Sequence, residues 1–421
     1  MDNGRGLAVQ STTTAGLVLA SMVVFVVTIA IGILNGLDLV EFDHNTLMAH
    51  IHAGTLGWIT LSVIAICGWM FDTEEGPERV LIGGRRPWRG IAWLAIASIP
   101  ILVVAFLTGN LVFRALASVP VFAAIFGLFA WLLAARRTVP LTTPRLALLA
   151  AVTTLVIGSV FGTLIQFQLA LGRELVPTER AGGGHVTAMA FGYLVLVGMA
   201  IVEWRLGPSA SRLTRAGVVQ VGALFVGSLM LVIGAVTNIQ ALLSLNVLFQ
   251  LVAVGIFVVR LAGPIAGVPW LATGGARYIA ASGLFVVVDI GLLVLLIVQL
   301  VSGAYGKMGE DMSVLAIPPW MVFALDHAIF VGVMTNGVFG LLLALTGARA
   351  TFWAWADHVV FAGMNVGLIG FVVGLAQESA TLKQIFSPLM GVSILLGLFV
   401  CAVRVVGARR QDGVEVGVVT A

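Results

Sequence analysis

The stretch AGLVLASMVVFVVTIAIGILNG, residues 15–36, contains no charged side chain. An apolar run of this kind can cross a bilayer as a single helix, because about 20 residues at 1.5 Å each match the hydrocarbon thickness. It is longer than the apolar region of an ordinary signal peptide, which has about 7–15 residues. We therefore expect the chain to enter the membrane with its first helix.

The rest of the chain repeats this pattern. Of its 421 residues 60% are hydrophobic and 10% charged, whereas soluble domains have about 25% charged residues. Mean hydropathy is +1.10. The sequence predicts an all-α polytopic protein with about twelve transmembrane helices in one membrane domain, residues 1–421. The other eleven expected spans are about 46–70, 88–108, 113–135, 146–171, 185–206, 216–237, 241–261, 278–302, 320–346, 352–375 and 385–406.

The distribution of basic residues predicts the orientation. Seventeen of the 22 lysines and arginines fall on one side of these spans, where short loops on the cytoplasmic side collect them. We expect both termini in the cytoplasm and the chain in the cell (plasma or inner) membrane. The basic residues behind the net charge of +3 thus set the orientation of the helices in the lipid bilayer. No nucleic-acid partner is expected.

Histidines recur at about a third of the chain length. His52, His185 and His327 open the second, sixth and tenth expected spans. Three repeats of four helices, about 1–140, 141–275 and 276–421, would produce this spacing and a pseudo-threefold bundle. Counting along each helix places the three histidines about 30 Å from its cytoplasmic end, at one level near the outer leaflet. His358 lies about 13 Å from the cytoplasmic boundary and is expected to belong elsewhere.

The segment HIHAGTLGW, residues 50–58, carries the strongest chemical signal. Ionisable side chains inside the membrane are usually functional, and neutral imidazole is the commonest metal ligand. Residues two apart on a helix point about 200° apart, so His50 and His52 can serve centres on opposite sides of it. Gly54 and Gly57 leave a flat strip that a porphyrin edge could occupy. The alternative for any one histidine is a hydrogen bond to a neighbouring helix.

The layout resembles a known superfamily. Twelve spans with histidines near the outer ends of the second, sixth and tenth are similar to subunit I of haem–copper oxidases and nitric-oxide reductases. AHIHAGTLGW (49–58) and LDHAIFVGVMTNGVFG (325–340) look like segments of the NnrS family of haem- and copper-containing membrane proteins. The resemblance implies a b-type haem held by His50 or His52 together with His327. It also implies His185 as a ligand of a second centre, with copper or another metal.

The chain departs from that superfamily in its histidines. The seventh span has none, and the tenth has one where an oxidase has two. A complete oxygen-reducing binuclear centre is therefore not expected, and enzymatic activity as an oxidoreductase stays open. Haem propionates need a cation at the outer surface. Arg114 is the best-placed candidate, and ordinary interfacial anchoring is its alternative role.

Two functions from different classes remain. The first is a haem-binding redox protein for electron transfer or for handling nitric oxide or oxygen, supplied by a quinol or cytochrome donor. The second is a proton-coupled transporter that uses intramembrane histidines and Asp289. Transporters often show broken spans in two inverted halves, whereas these spans are mostly unbroken and the period is a third, which favours the redox protein. A structural subunit is a third possibility.

Overall fold

The computed structural model describes residues 12–71, 87–208, 210–306, 316–346 and 353–419. This part of the chain is helical and contains twelve helices long and apolar enough to span a membrane, which confirms the all-α polytopic prediction. In chain order they are α1 Thr13–Gly36, α2 His44–Phe71, α3 Pro87–Leu107, α4 Leu111–Ala135, α5 Thr143–Leu171, α6 Thr178–Leu206, α7 Arg215–Thr237, α8 Gln240–Ala266, α9 Gly275–Val301, α10 Pro319–Leu345, α11 Ala354–Ala376 and α12 Ala380–Gly407. Which membrane they cross, and on which side the termini lie, stay predictions.

The sixth span begins earlier than its sequence predicts. We expected a start near residue 185, but α6 begins at Thr178, so the glycine run at 182–184 is helical. At Gly184 an added Cβ would lie 2.6 Å from a methyl of Val236 on α7, and at Gly183 it would lie 3.4 Å from Ala235. These glycines allow close helix packing, as small residues do in membranes.

Local capping explains where several helices begin and end. The side chains of Asp43 and Asn110 accept hydrogen bonds from the amides three residues later, at 2.8 and 3.0 Å. Such bonds satisfy amides that the first turn of a helix leaves unpaired. Gly172, with φ of +61°, terminates α5 in the left-handed conformation that favours glycine.

The three histidine-bearing helices form the centre of the bundle. In α2, α6 and α10, 83, 78 and 89% of the apolar window is buried, against 28–50% in the other nine spans. The nine outer helices therefore shield these three from lipid. The pseudo-threefold arrangement itself stays a prediction.

Each central helix contains a π-helical segment just after its histidine. The segments are Ala53–Thr60, Ala188–Leu194 and Ala328–Thr335. Sequence reasoning expected mostly unbroken spans and missed them. These helices stay continuous, with hydrogen bonds shifted to a wider register, and such segments occur frequently at functional sites. The matching positions agree with three repeats, although a repeat origin stays a prediction.

Side chains from the π segments join the three central helices. Trp58 Nε1 donates to Thr335 Oγ1 at 3.1 Å, and the Tyr193 hydroxyl donates to Thr60 Oγ1 at 3.3 Å. Trp58, Tyr193, Thr60 and Thr335 are all fully buried. These bonds fix the relative positions of α2, α6 and α10 directly beneath the histidines.

The glycine strip on α2 does not face an open space. A Cβ at Gly54 would lie 3.3 Å from Thr28, and a Cβ at Gly57 would collide with Val24. Both of these neighbours belong to α1, which packs into the strip. The expectation that a porphyrin edge could occupy it is therefore wrong, because the first helix already fills that surface.

Candidate functional site

The three central histidines lie at one level. His52, His185 and His327 follow the first residues of α2, α6 and α10 by eight, seven and eight positions. They therefore lie about 12 Å below the helix starts. The shared level matches the expectation from sequence. We call this end of the bundle, where α2, α6 and α10 begin, the histidine end.

Four imidazoles at this end share one hydrogen-bonding arrangement. Each Nδ1 contacts a main-chain carbonyl oxygen, which can only accept, so Nδ1 carries the proton and Nε2 presents its lone pair. Histidines that ligate metals are oriented in this way. No hydrogen bond to these Nε2 atoms is present among the described residues. For His50, His52, His185 and His327 the acceptors are the carbonyls of Thr28, Met48, Gly158 and Phe323, at 2.9, 2.7, 2.8 and 2.8 Å.

These four imidazoles are partly buried. That the four positions form a ligand-binding region stays a prediction.

His50 and His327 occupy one side of α2. The His50 ring packs against α1, where a Cβ at Gly32 would lie 3.2 Å from its Cε1. His327 packs against Phe371 of α11, with ring centroids 4.8 Å apart. The two imidazoles lie within electrostatic range of one another. They form the first histidine pair.

His52 and His185 occupy the other side. The His52 ring stacks on Phe106 of α3, with centroids 4.1 Å apart and planes 20° apart. His185 packs against α5, where a Cβ at Gly162 would lie 3.0 Å from its ring. These two imidazoles are also within electrostatic range of each other. They form the second histidine pair, on the opposite side of α2 as the helical spacing predicts.

Arg114 is a buried cation beside the second pair. Its side chain lies over the Phe106 ring at 4.4 Å, and the residue is 5% exposed. Its Nε donates to Gln166 Oε1 at 2.9 Å and its Nη1 to Asn45 Oδ1 at 3.2 Å. Both acceptors are neutral amides. A guanidinium that only anchors the helix at the interface would be exposed, which Arg114 is not. Its role in ligand binding stays a prediction.

Sequence reasoning missed the neighbours of Arg114. It gave no role to Asn45 or Phe106. Gln166 and Asn45 are polar residues near the ends of apolar spans, a signal that depth counting could have used. Phe106 carries no such signal, because phenylalanine is common in these helices.

Other candidate residues lie apart from the two pairs. His358 is bonded to Arg277 Nη1 at 3.0 Å, at the opposite end of the bundle, as its depth predicts. His44 is exposed at the start of α2. Asp289 is fully buried in α9, its carboxylate oxygens have no hydrogen-bond partner among the described residues, and Asp326 lies within electrostatic range.

The number of possible ligands at the histidine end bears on whether a bare metal ion or a haem could bind there. Among the described residues no group of three or more histidine, cysteine, aspartate or glutamate side chains could hold a metal ion. An ion bound by protein alone usually takes at least three such ligands. A haem brings its own nitrogen ligands and needs only axial side chains. Pairs of histidines therefore fit a haem better than a bare ion.

Comparison with known proteins adds no assignment. The chain matches no known family and no curated protein. The likeness to haem–copper oxidases and to the NnrS family therefore rests on the histidine layout and on the two segments quoted above.

Proposed function

We propose that this chain is a haem-binding integral membrane redox protein related to haem–copper oxidase and nitric-oxide reductase subunit I. It would act in electron transfer or in handling nitric oxide or oxygen, with a quinol or cytochrome as electron donor. One observation carries the proposal: four partly buried imidazoles on three central helices have Nδ1 held by a carbonyl, and their Nε2 atoms have no hydrogen bond among the described residues.

In this proposal the first histidine pair holds a b-type haem between α2 and α10. The carbonyls of Thr28 and Phe323 would keep the His50 and His327 rings oriented with Nε2 toward the iron. Thr28 Oγ1 also donates to the His50 carbonyl at 3.0 Å, which ties this turn of α2 to α1. When bound, the haem supplies reversible one-electron transfer. The Phe371 ring, which packs against His327, would exclude water from that side of the haem.

Complete oxygen reduction is not part of the proposal. That chemistry in the resembling superfamily uses a second metal with three histidines, two of them from the seventh span. Here α7 contains none. We expect no sustained cyanide-sensitive oxygen consumption from the isolated protein supplied with a chemical reductant and a quinol or cytochrome mediator. Such activity would contradict this part of the proposal.

An absorption spectrum tests the proposal directly. The protein, purified from haem-replete cells, is compared before and after dithionite reduction, and its iron content is measured. We expect a Soret band, visible bands that sharpen and split on reduction, and at least one iron per chain. His358→Ala is the matched control, because His358 lies at the other end, and it should leave the spectrum unchanged. Absence of both Soret absorbance and iron would reject the proposal.

A proton-coupled transporter is the second candidate, and Asp289 is the observation that favours it. A buried carboxyl group without a hydrogen-bond partner is costly unless it is neutral or engaged in function. Proton entry into vesicles containing the protein, followed with a pH-sensitive dye under an imposed membrane potential, tests this candidate. Proton flux that disappears in Asp289→Asn, from a protein that carries no haem, would favour the transporter.

A further inference from the structure

Arg277 holds the first turns of α11 against α9 at the end opposite the histidine pairs. Its Nη1 donates to His358 Nδ1 at 3.0 Å, and its Nη2 donates to the Asp357 carbonyl at 2.6 Å. The guanidinium lies 4.7 Å above the Phe361 ring, and the residue is 3% exposed. Its Nε atom has no partner among the described residues. In this part of the chain, His358 is therefore one of two hydrogen-bond acceptors for a buried cation.

The contact between Arg277 and His358 requires a neutral imidazole. A guanidinium has donors only, so His358 Nδ1 must accept, and the single proton of the ring is on Nε2. His358 is exposed and lies about 6 Å from the first residue of α11, so its ring can exchange protons with water at this end. A protonated ring would turn a donor toward Arg277 Nη1, and the hydrogen bond would be lost.

The charges of this cluster would act against the contact once His358 is protonated. Among the described residues its other charged or titratable groups are Arg277 and Tyr278 of α9, Asp357 of α11, and Cys401 and Arg404 of α12. Two of these are cations and one is an anion, and the anion, Asp357, already bonds Arg404 at 3.2 Å. An imidazolium would be a third positive charge in contact with Arg277, and like charges so close repel.

A cavity beside this contact contains a buried thiol. Tyr278, Asp357 and Cys401 line the cavity together with residues of α10, and Cys401 is 3% exposed. Asp357 belongs both to the cavity wall and to the contact with α9, because its carbonyl accepts from Arg277 and, at 3.0 Å, from the Tyr278 hydroxyl. Movement of the first turns of α11 away from α9 would therefore open the cavity to water.

We propose that His358 and Arg277 form a proton-operated latch: acidification at this end protonates His358, which repels Arg277, releases the first turns of α11 from α9 and exposes the cavity that contains Cys401. The latch does not depend on haem binding, because His358 and its partners lie at the other end from the two histidine pairs. It makes the packing of α11 sensitive to pH at one face of the membrane only.

Thiol labelling of Cys401 tests the latch. The chain has two cysteines, so Cys67→Ser leaves Cys401 as the single reporter. Labelling by dithiodipyridine, which also reacts with thiols in acid, is followed in detergent at about pH 8 and about pH 5, on either side of the ordinary titration of imidazole. Each rate is divided by the rate for the denatured protein at the same pH. We expect the relative rate to rise about tenfold in acid, the change that about 1.4 kcal/mol of repulsion would produce.

Two substitutions of His358 should fix the latch in one state. His358→Gln offers an amide oxygen to Arg277 at any pH, so Cys401 should stay protected in acid as it is at about pH 8. His358→Lys carries a positive charge throughout this range, so Cys401 should be labelled quickly at either pH. The glutamine variant keeps the contact and the lysine variant breaks it, so their difference measures the latch without a change of pH.

Three outcomes would overturn the proposal. The first is an equal relative rate at the two pH values with His358 in place. The second is a rise in acid that is as large in His358→Gln, since another group would then be responsible. The third concerns Cys67, which is fully buried in α2 and is the reporter in a Cys401→Ser protein. Its relative rate should not change with pH, and a parallel rise would mean that acid loosens the whole bundle.

Discussion

The two ends of the bundle treat buried charge differently. At the end opposite the histidines, Arg260 pairs with Glu203 and Arg404 bonds Asp357 Oδ2 at 3.2 Å. At the histidine end, Arg114 has only amide partners, and the four imidazoles leave Nε2 without a hydrogen bond among the described residues. Not every arginine at the first end has an acidic partner, because Arg277 there bonds only His358 Nδ1 and the Asp357 carbonyl. What distinguishes the two ends is the buried arginine–carboxylate pairs, which the histidine end lacks among the described residues.

Removing one partner of the buried ion pair at the opposite end should have the largest effect on stability. Glu203 is fully buried, and Arg260 pairs with it while also donating to Gln220 at 2.7 Å. Arg260→Ala would leave a buried carboxylate without a cation, so we expect a loss of about 3 kcal/mol. Thermal unfolding in detergent measures this loss, with haem per folded chain unchanged.

A double variant is the control for that experiment. Glu203→Gln combined with Arg260→Met removes both charges, so it should recover much of the lost stability, because no charge is left unpaired. If the single and double variants are equally unstable, the loss comes from packing and the contrast between the two ends fails.

Breaking the first pair should remove the haem. His50→Ala deletes the proposed Nε2 ligand and the Nδ1 bond to Thr28, so the haem content should fall. His44→Ala changes an exposed histidine on the same helix and serves as the matched control. Equal haem loss in both variants would mean that α2 is perturbed generally and that His50 is not a specific ligand.

A smaller change can disturb the second pair alone. Gly162→Ala would place a methyl group 3.0 Å from the His185 ring, tighter than ordinary contact, so the imidazole must shift. We expect the haem proposed at the first pair to be unaffected, measured as haem retained after repeated gel filtration, because His185 belongs to the second pair. Gly222→Ala, where an added Cβ meets nothing within 4 Å, is the control. Loss of haem in Gly162→Ala but not in Gly222→Ala would mean that His185 also takes part in holding that haem.

Sequence patterns predicted the twelve spans because lipid imposes a minimum length of apolar helix. They failed at the glycine run 182–184, which reads as a loop but is helical and packs against α7 through Gly183 and Gly184. The π segments escaped prediction because no residue type specifies them. The histidine level followed from counting, since a helix has a fixed rise. The surroundings of Arg114 could not be predicted by counting. Phe106, Asn45 and Gln166 come from three helices whose packing the sequence does not specify.

The smallest expected effect concerns an exposed contact at the histidine end. Asp38, between α1 and α2, pairs with Lys383 and accepts a bond from Gln384 at 3.2 Å. The hydrogen bond from Lys383 is the main cause that lowers the pKa of Asp38. Because the folded pKa lies below the unfolded one, the stabilisation is fully present above the unfolded value. It is lost as pH falls through the folded value.

We therefore expect Asp38→Asn to reduce thermal stability slightly at neutral pH, and to have no effect in acid where Asp38 is already protonated. Added salt should shrink the difference, because exposed charges are screened. Haem content should not change, because this ion pair joins the end of α1 to α12 and contacts no imidazole. A loss of haem in Asp38→Asn would mean that the loop between α1 and α2 controls His50, and that the histidine end depends on surface charge as well as on its buried ligands.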